Sequence, residues 1–201
     1  MSRAYYHTSE GMRRLSEGLI WENALFPHIQ SYIEETDDLS QITGVREVVH
    51  TEEMEMQKRG FDYIINPEPT AANLKSRRAQ WCTKDENELD LFLEVEDGDD
   101  PGWIYNDELC VLVYVWEQED RRNIQKSVVV WVTDEFQDWL RSRAEMFEKQ
   151  RSGTSLGRIV QVNEIPDRWI DKDPGIKLGR DLPKPVNEMT RGDLDEFLDR
   201  S

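Results

Sequence analysis

Apolar positions in residues 9–35 recur every three or four residues, which predicts an amphipathic helix. The stripe consists of Leu15, Leu19, Phe26, Ile29 and Ile33. Glu22 falls within it, and burying a carboxylate is costly unless the group has a partner or a metal. The competing interpretation is that Glu22 sits at the edge of the stripe and reaches water. Pro27 predicts either a kink or the start of a second helix.

The pattern then changes to β-type. The run FDYII reads as a strand in which Asp62 points to the opposite face from Phe61 and Tyr63. A proline-rich turn follows, and the next strand, ANLKSR, places Asn73, Lys75 and Arg77 on one face. One acid and one lysine therefore lie on neighbouring predicted strands.

Later segments complete a mixed α/β domain around a central sheet. Short strands are predicted at residues 45–50 and in RIVQVNEI. LDLFLEVED alternates, so Glu94 and Glu96 lie on its polar face. The apolar runs LCVLVYVW and KSVVVWV indicate strands buried on both faces. TDEFQDWLRSRAEMFEKQ predicts a helix with Thr133 as its N-cap.

The 201 residues suit one domain with an appendage. Four of the eight prolines lie beyond residue 150, where the composition of the sequence changes. The predicted organisation is therefore a core domain over residues 1–150 and an extension over 151–201 that packs on the core or trails from it. Short helices are also predicted for TEEMEMQKR and TRGDLDEFLD.

The formal net charge is −17, from 25 Lys and Arg against 42 Asp and Glu. This charge disfavours simple polyanion binding and suits either a halophilic protein in high salt or an ordinary acidic cytosolic protein. Cys82 and Cys110 stand apart, without the paired spacing of a zinc site. With no signal peptide and no apolar run long enough for a bilayer, we expect a soluble cytoplasmic protein and no membrane partner.

Phosphodiester hydrolysis suits an acid on one strand with an acid and a lysine two residues apart on the next. Carboxylates hold a divalent cation that polarises the phosphoryl oxygen and activates water, and the lysine stabilises developing charge. The run QKRGFDYII, the strand NLK and the segment LEVEDGDDPGWIY follow this order. They resemble the PD-(D/E)XK nuclease superfamily, particularly its small viral or phage-type members, over roughly residues 10–135.

The resemblance implies a restriction-endonuclease-like α/β fold, with a central mixed sheet of about five strands flanked by helices. It further implies DNA cleavage dependent on Mg²⁺ or Mn²⁺, and many such nucleases act as homodimers. Asp62 would be the metal-binding acid of the first strand, Lys75 the motif lysine and Glu22 the helix-borne acid. Gln57 and Arg77 would match accessory positions.

One position departs from the family pattern. Asn73 stands where the family has Asp or Glu, and an amide brings no charge. In one interpretation a neighbouring strand supplies the missing acid. Glu94 is the first candidate, so that Asp62 and Glu94 hold the metal, and Glu96 is the second. In the other, the chain is a catalytically inactive nuclease-fold module that binds protein or nucleic acid.

Other interpretations stay open for single residues. Asp62 could be the solvent-side residue of an edge strand, and Lys75 with Arg77 and Arg78 either contacts phosphates or forms a solvated polar face. Trp103 either covers the core or stacks on a base or sugar. A third hypothesis is an interaction protein of unrelated α/β fold, in which case the resemblance is coincidental.

Overall fold

Two helices and ten strands make up the part of the chain that the structure, a computed structural model, describes: residues 9–35, 47–50, 62–66, 70–77, 89–117 and 124–176. The helices are α1 (Ser9–Glu35) and α2 (Asp134–Arg143). The strands are β1 (Glu47–His50), β2 (Tyr63–Asn66), β3 (Thr70–Arg77), β4 (Asp90–Asp97), β5 (Asp100–Pro101), β6 (Leu109–Glu117), β7 (Ile124–Trp131), β8 (Glu148–Ser152), β9 (Ser155–Gln161) and β10 (Ile170–Asp171).

Six strands form a mixed sheet in the order β1-β2-β3-β6-β7-β10. β3 and β6 pair in parallel, whereas the other neighbours are antiparallel. A parallel pair needs a crossover connection, and here that connection contains β4 and β5 of a second sheet. The second sheet has four antiparallel strands in the order β5-β4-β9-β8.

Helix α1 covers one face of the six-stranded sheet. Leu25, Ile29 and Ile33 are fully buried at a spacing of four residues, so that one stripe of the helix meets the sheet. Their partners include Tyr63, Ile65, Leu74, Val111, Val113 and Val129. Burying each of the three aliphatic side chains contributes about 1.5–3 kcal/mol, which explains why α1 docks by this stripe.

The opposite face of the six-stranded sheet packs against the second sheet and α2. Leu89, Leu91, Leu93 and Val95 line this interface in alternation, as their sequence pattern predicts. They pack with Leu112, Tyr114, Trp116, Val128, Val130, Phe136 and Leu140. The described residues therefore form three layers: α1, the six-stranded sheet, and the four-stranded sheet with α2.

The predicted mixed α/β class with a central mixed sheet is confirmed. The sheet has six strands where about five were expected, and one of its faces is covered largely by a second sheet. β6 is buried along nearly its whole length and β7 along most of it, as their apolar runs predict. No helix in the described residues is long and apolar enough to cross a membrane.

The predicted helix over residues 9–35 is confirmed, whereas the helix after Thr133 ends earlier than predicted. Pro27 lies inside α1, which is one continuous helical segment from Ser9 to Glu35. Pro27 and Asn23 are both exposed, so the carbonyl that loses its helical donor can be hydrated. The predicted helix after Thr133 ends at Arg143. Its expected last turn instead enters β8, which pairs with β9.

The predicted boundary at residue 150 falls inside β8. Beyond it, β9 pairs with β4 along seven residue pairs and β10 pairs with β7. The part of the extension that the structure describes is thus built into both sheets. The predicted helices TEEMEMQKR and TRGDLDEFLD lie outside the described residues.

Candidate functional site

Asp62 comes directly before β2 and is fixed by two hydrogen bonds to β3. Its backbone N–H donates to the carbonyl of Ala72 at 3.1 Å. Its carboxylate Oδ2 accepts the backbone N–H of Leu74 at 2.6 Å. The Asp62 carboxylate therefore replaces the backbone carbonyl that a further residue of β2 would offer to β3. Its partner, Leu74, directly precedes Lys75 in β3.

Glu22 lies on α1 where the helix meets the start of β2. The hydroxyl of Tyr63 donates to the backbone carbonyl of Glu22 at 3.0 Å. The Tyr63 ring also stacks on Phe26, with 5.6 Å between centroids. Because Tyr63 directly follows Asp62, these contacts bring the helix-borne acid towards the strand acid.

The electrostatics of Glu22 reflect this arrangement. The pKa of its carboxyl is raised to about 7, first by burial and then by the negative charge of Asp62, while the charge of Lys75 opposes both effects. Burial also raises the pKa of the Tyr63 hydroxyl, with smaller contributions in the same direction from Asp62 and Glu22. Glu22 is thus neither a fully solvated carboxylate nor an isolated buried one.

Lys75 extends from β3 on the face that looks towards the second sheet. Its Nζ lies 5.2 Å from the centroid of the Trp103 ring, within cation–π range. Trp103 opens a short 3₁₀ turn, Trp103–Tyr105, and packs against the core between the sheets. Gly102, immediately before it, is buried and donates its N–H to the carbonyl of Val95 at 2.9 Å.

Asn73 is fully buried. It shares a face with Lys75 and pairs with Leu112 of β6 in the parallel register, so its amide lies in the layer between the sheets. The side chain of Asn73 therefore does not reach the surface, which disagrees with the interpretation of Asn73 as a substrate-binding residue.

The structure does not place Glu94 with Glu22, Asp62 and Lys75. Its neighbours Leu93 and Val95 point into the core between the sheets, so Glu94 points to the outer face of the four-stranded sheet. Among the residues that the structure describes, no three His, Cys, Asp or Glu side chains come together as a metal-binding group.

The remaining predicted site residues are described in part or not at all. Arg77 ends β3 beside Trp116 of β6, and only its backbone is described. Gln57 and Arg78 lie outside the described residues. The cluster of Glu22, Asp62 and Lys75 thus comes from three elements: α1, the entry to β2, and β3.

The sequence did not predict the contacts by which Tyr63 and Trp103 organise this cluster. Tyr63 was assigned only to an apolar strand face, yet its hydroxyl joins α1 to β2. Trp103 is predicted to cover the core or to stack on a base or sugar, and its contact with Lys75 has no local signal because the two residues are 28 positions apart.

Comparison with protein-family models and with curated proteins found no match to this chain. The chemistry of the site therefore has to be argued from its geometry. The carboxyl groups of Glu22 and Asp62 have different environments, and both lie near the ammonium group of Lys75. Such an arrangement can bind a cation at the carboxylates and stabilise an anion at the ammonium group.

Proposed function

We propose that this protein is a metal-dependent DNA nuclease of the restriction-endonuclease-like fold. The observation that carries the proposal is that the charges of Asp62 and Lys75 both act on the Glu22 carboxyl, although the three residues belong to separate elements. Two hydrogen bonds join these elements: the Tyr63 hydroxyl donates to the Glu22 carbonyl, and the Leu74 N–H donates to the Asp62 carboxylate. The family resemblance of the sequence assigns the same three residues.

The donor set fits a hard divalent cation. Mg²⁺ is commonly held by only one or two protein carboxylates, with waters and substrate phosphates completing its shell. Asp62 and Glu22 each offer a carboxylate, and one oxygen of Asp62 is oriented by the Leu74 N–H that it accepts. We assign Glu22 and Asp62 as the holders of Mg²⁺ or Mn²⁺, in place of the predicted pair of Asp62 and Glu94.

When bound, such a cation would supply Lewis-acid polarisation of the phosphoryl oxygen and activation of water. Lys75 would stabilise the charge that grows on the phosphate, and Trp103 would keep its ammonium group in place. The hydrogen bond from the Leu74 N–H would hold the Asp62 carboxylate in position.

The test is DNA cleavage by the full chain on linear, circular and branched DNA. Each substrate is incubated with Mg²⁺ or Mn²⁺, at low salt and in molar KCl. Lys75→Met keeps the aliphatic stem beside Trp103 and removes the charge, so we expect cleavage to fall by about 10² or more. Lys172→Met removes an exposed ammonium, paired with Asp167, and serves as the control. Equal cutting by wild type and Lys75→Met would exclude Lys75 from the chemistry.

A second function, a catalytically inactive module on the same fold, is favoured by one observation. Asn73 occupies the position of the family's second acid and is fully buried. Calorimetric titration of the wild type with Mn²⁺ separates the two functions. Binding that is lost in Asp62→Asn supports the nuclease, whereas no Mn²⁺ binding and no cutting by a folded protein supports the module.

A further inference from the structure

One short region in the second half of this acidic chain carries a net positive charge. Residues 141–158 carry five Lys or Arg against two Glu, a formal charge of +3. The remaining 183 residues carry 20 Lys or Arg against 40 Asp or Glu, a formal charge of −20. At physiological ionic strength charges more than about 8 Å apart are largely screened, so a local basic surface acts largely independently of the total charge.

Strand register places the cations of this region together. β8 is the edge strand of the four-stranded sheet, and Lys149 pairs with Arg158 while Arg151 pairs with Leu156. Lys149 and Arg151 are two residues apart and therefore project from the same face. Both are exposed, and Arg151 forms no ion pair with the residues that the structure describes.

Buried Arg158 anchors this edge. One guanidinium nitrogen donates to the carbonyl of Phe147 at 3.3 Å and another to Glu145 at 3.0 Å. Glu145 in turn lies 3.5 Å from the ammonium of Lys149. The hydrogen bond from Arg158, followed by the charge of Lys149, lowers the pKa of the Glu145 carboxyl. Glu145 thus holds Lys149 at the surface.

The basic region continues to α2 through Tyr105. The guanidinium carbon of Arg141 lies 4.4 Å from the centroid of the Tyr105 ring. Burial raises the pKa of the Tyr105 hydroxyl, while the charges of Arg141 and then Arg158 lower it. We name Arg141, Lys149 and Arg151 the basic surface.

The same 3₁₀ turn connects this surface to the candidate site. Trp103 at its start contacts Lys75, and Tyr105 at its end contacts Arg141. Two aromatic rings, each paired with a cation, therefore lie between the cluster of Glu22, Asp62 and Lys75 and the basic surface. Spaced cations with interleaved aromatic rings suit the phosphates of a polynucleotide better than one compact anion.

We propose that the basic surface binds the phosphate backbone of the DNA whose scissile bond lies at Lys75. The proposal deepens the nuclease function and rests on it for the position of the scissile bond. Phosphate contacts by Arg and Lys position the duplex without reading its sequence, so the surface is expected to bind DNA irrespective of sequence.

The test is the anisotropy of a fluorescent duplex DNA titrated with full-length protein in EDTA, over a series of KCl concentrations. In Lys149→Ala/Arg151→Ala we expect the slope of log affinity against log salt to lose about 1.8, from about 0.9 for each phosphate contact. Affinity near 0.1 M KCl should fall on the order of tenfold. Arg168→Ala/Lys172→Ala removes the same charge elsewhere and should keep the wild-type slope.

The outcomes separate this proposal from the nuclease function. Unchanged slope and affinity in Lys149→Ala/Arg151→Ala, with cutting intact, would overturn the basic surface alone. If the wild type binds DNA without cutting it, and Lys149→Ala/Arg151→Ala binds DNA more weakly, the basic surface is supported and the nuclease function is contradicted. Equal loss of affinity in the control pair would show a general charge effect, and equally tight binding of poly-glutamate would overturn DNA as the partner.

Discussion

Glu22→Gln should stabilise the metal-free protein at alkaline pH. The folded chain raises the pKa of Glu22 from 4.5 to about 7, chiefly through burial and then through the charge of Asp62. Between these values the folded state binds more protons at Glu22 than the unfolded state, so stability falls as pH rises from about 4.5 to 7. Gln keeps the shape and has no charge to bury.

The size of the effect follows from the pKa shift. About 2.5 pKa units correspond to about 3.4 kcal/mol at 1.36 kcal/mol per unit. Glu22 is only partly buried, so solvent screening reduces this to about 1–2 kcal/mol. For a chain of this length that free energy raises the Tm by about 2–8 °C.

The assay is thermal unfolding in EDTA at pH 5.5 and pH 8. The lower value stays clear of the isoelectric point of about 4.6, where association is expected. We expect the stabilisation by Glu22→Gln to be larger at pH 8 than at pH 5.5. Glu35→Gln, at the exposed end of the same helix, controls for the loss of one negative charge. An equal Tm change at both pH values, or a lower Tm at pH 8, would refute the reasoning.

Three further substitutions test the structure around the site. Asp62→Ala leaves the N–H of Leu74 without its acceptor and should cost about 1–3 kcal/mol in the free energy of unfolding. Asp62→Asn retains an acceptor oxygen and should cost clearly less. Equal losses in urea unfolding would contradict the role of Asp62 as the acceptor of the Leu74 N–H. Gly102→Ala places a methyl group into the backbone carbonyl of Glu94, so we expect a loss of about 1–3 kcal/mol, and an unchanged Tm would show that the turn can yield. Thr133→Ala removes the side chain that accepts the N–H of the third helical residue at 3.1 Å and should cost about 1 kcal/mol, whereas Thr133→Ser should be nearly neutral.

The sequence correctly predicted those strands and helices that are defined by a pattern within a single segment. The continuous apolar runs of β6 and β7 and the alternation in β4 set which side chains are buried, and Thr133 caps α2 as expected. Pairing partners could not be predicted in the same way. The parallel contact of β3 with β6 and the contact of β4 with β9 join segments far apart in sequence, and neither has a signature within one strand.

The same distinction applies to the candidate site. The spacing of Asn73 and Lys75 correctly places both on one face of β3, because alternation is a property of a single strand. Whether Glu94 could join them depended on which face of its strand looks towards β3. That face is set by the docking of the second sheet, which buries the leucines and turns Glu94 outward. The burial of Asn73 has the same long-range cause.

The most direct test is the nicking of supercoiled circular DNA by wild type and Asp62→Asn, side by side, with Mg²⁺ or Mn²⁺ and with EDTA. Asp62→Asn preserves the acceptor for Leu74, so the comparison isolates the carboxylate charge from the fold. We expect the wild type to nick the DNA only with metal, and Asp62→Asn, folded to the same Tm within a few degrees, to lose that activity. Equal nicking by both proteins, or nicking by the wild type in EDTA, would contradict a metal-dependent phosphodiesterase site at Asp62.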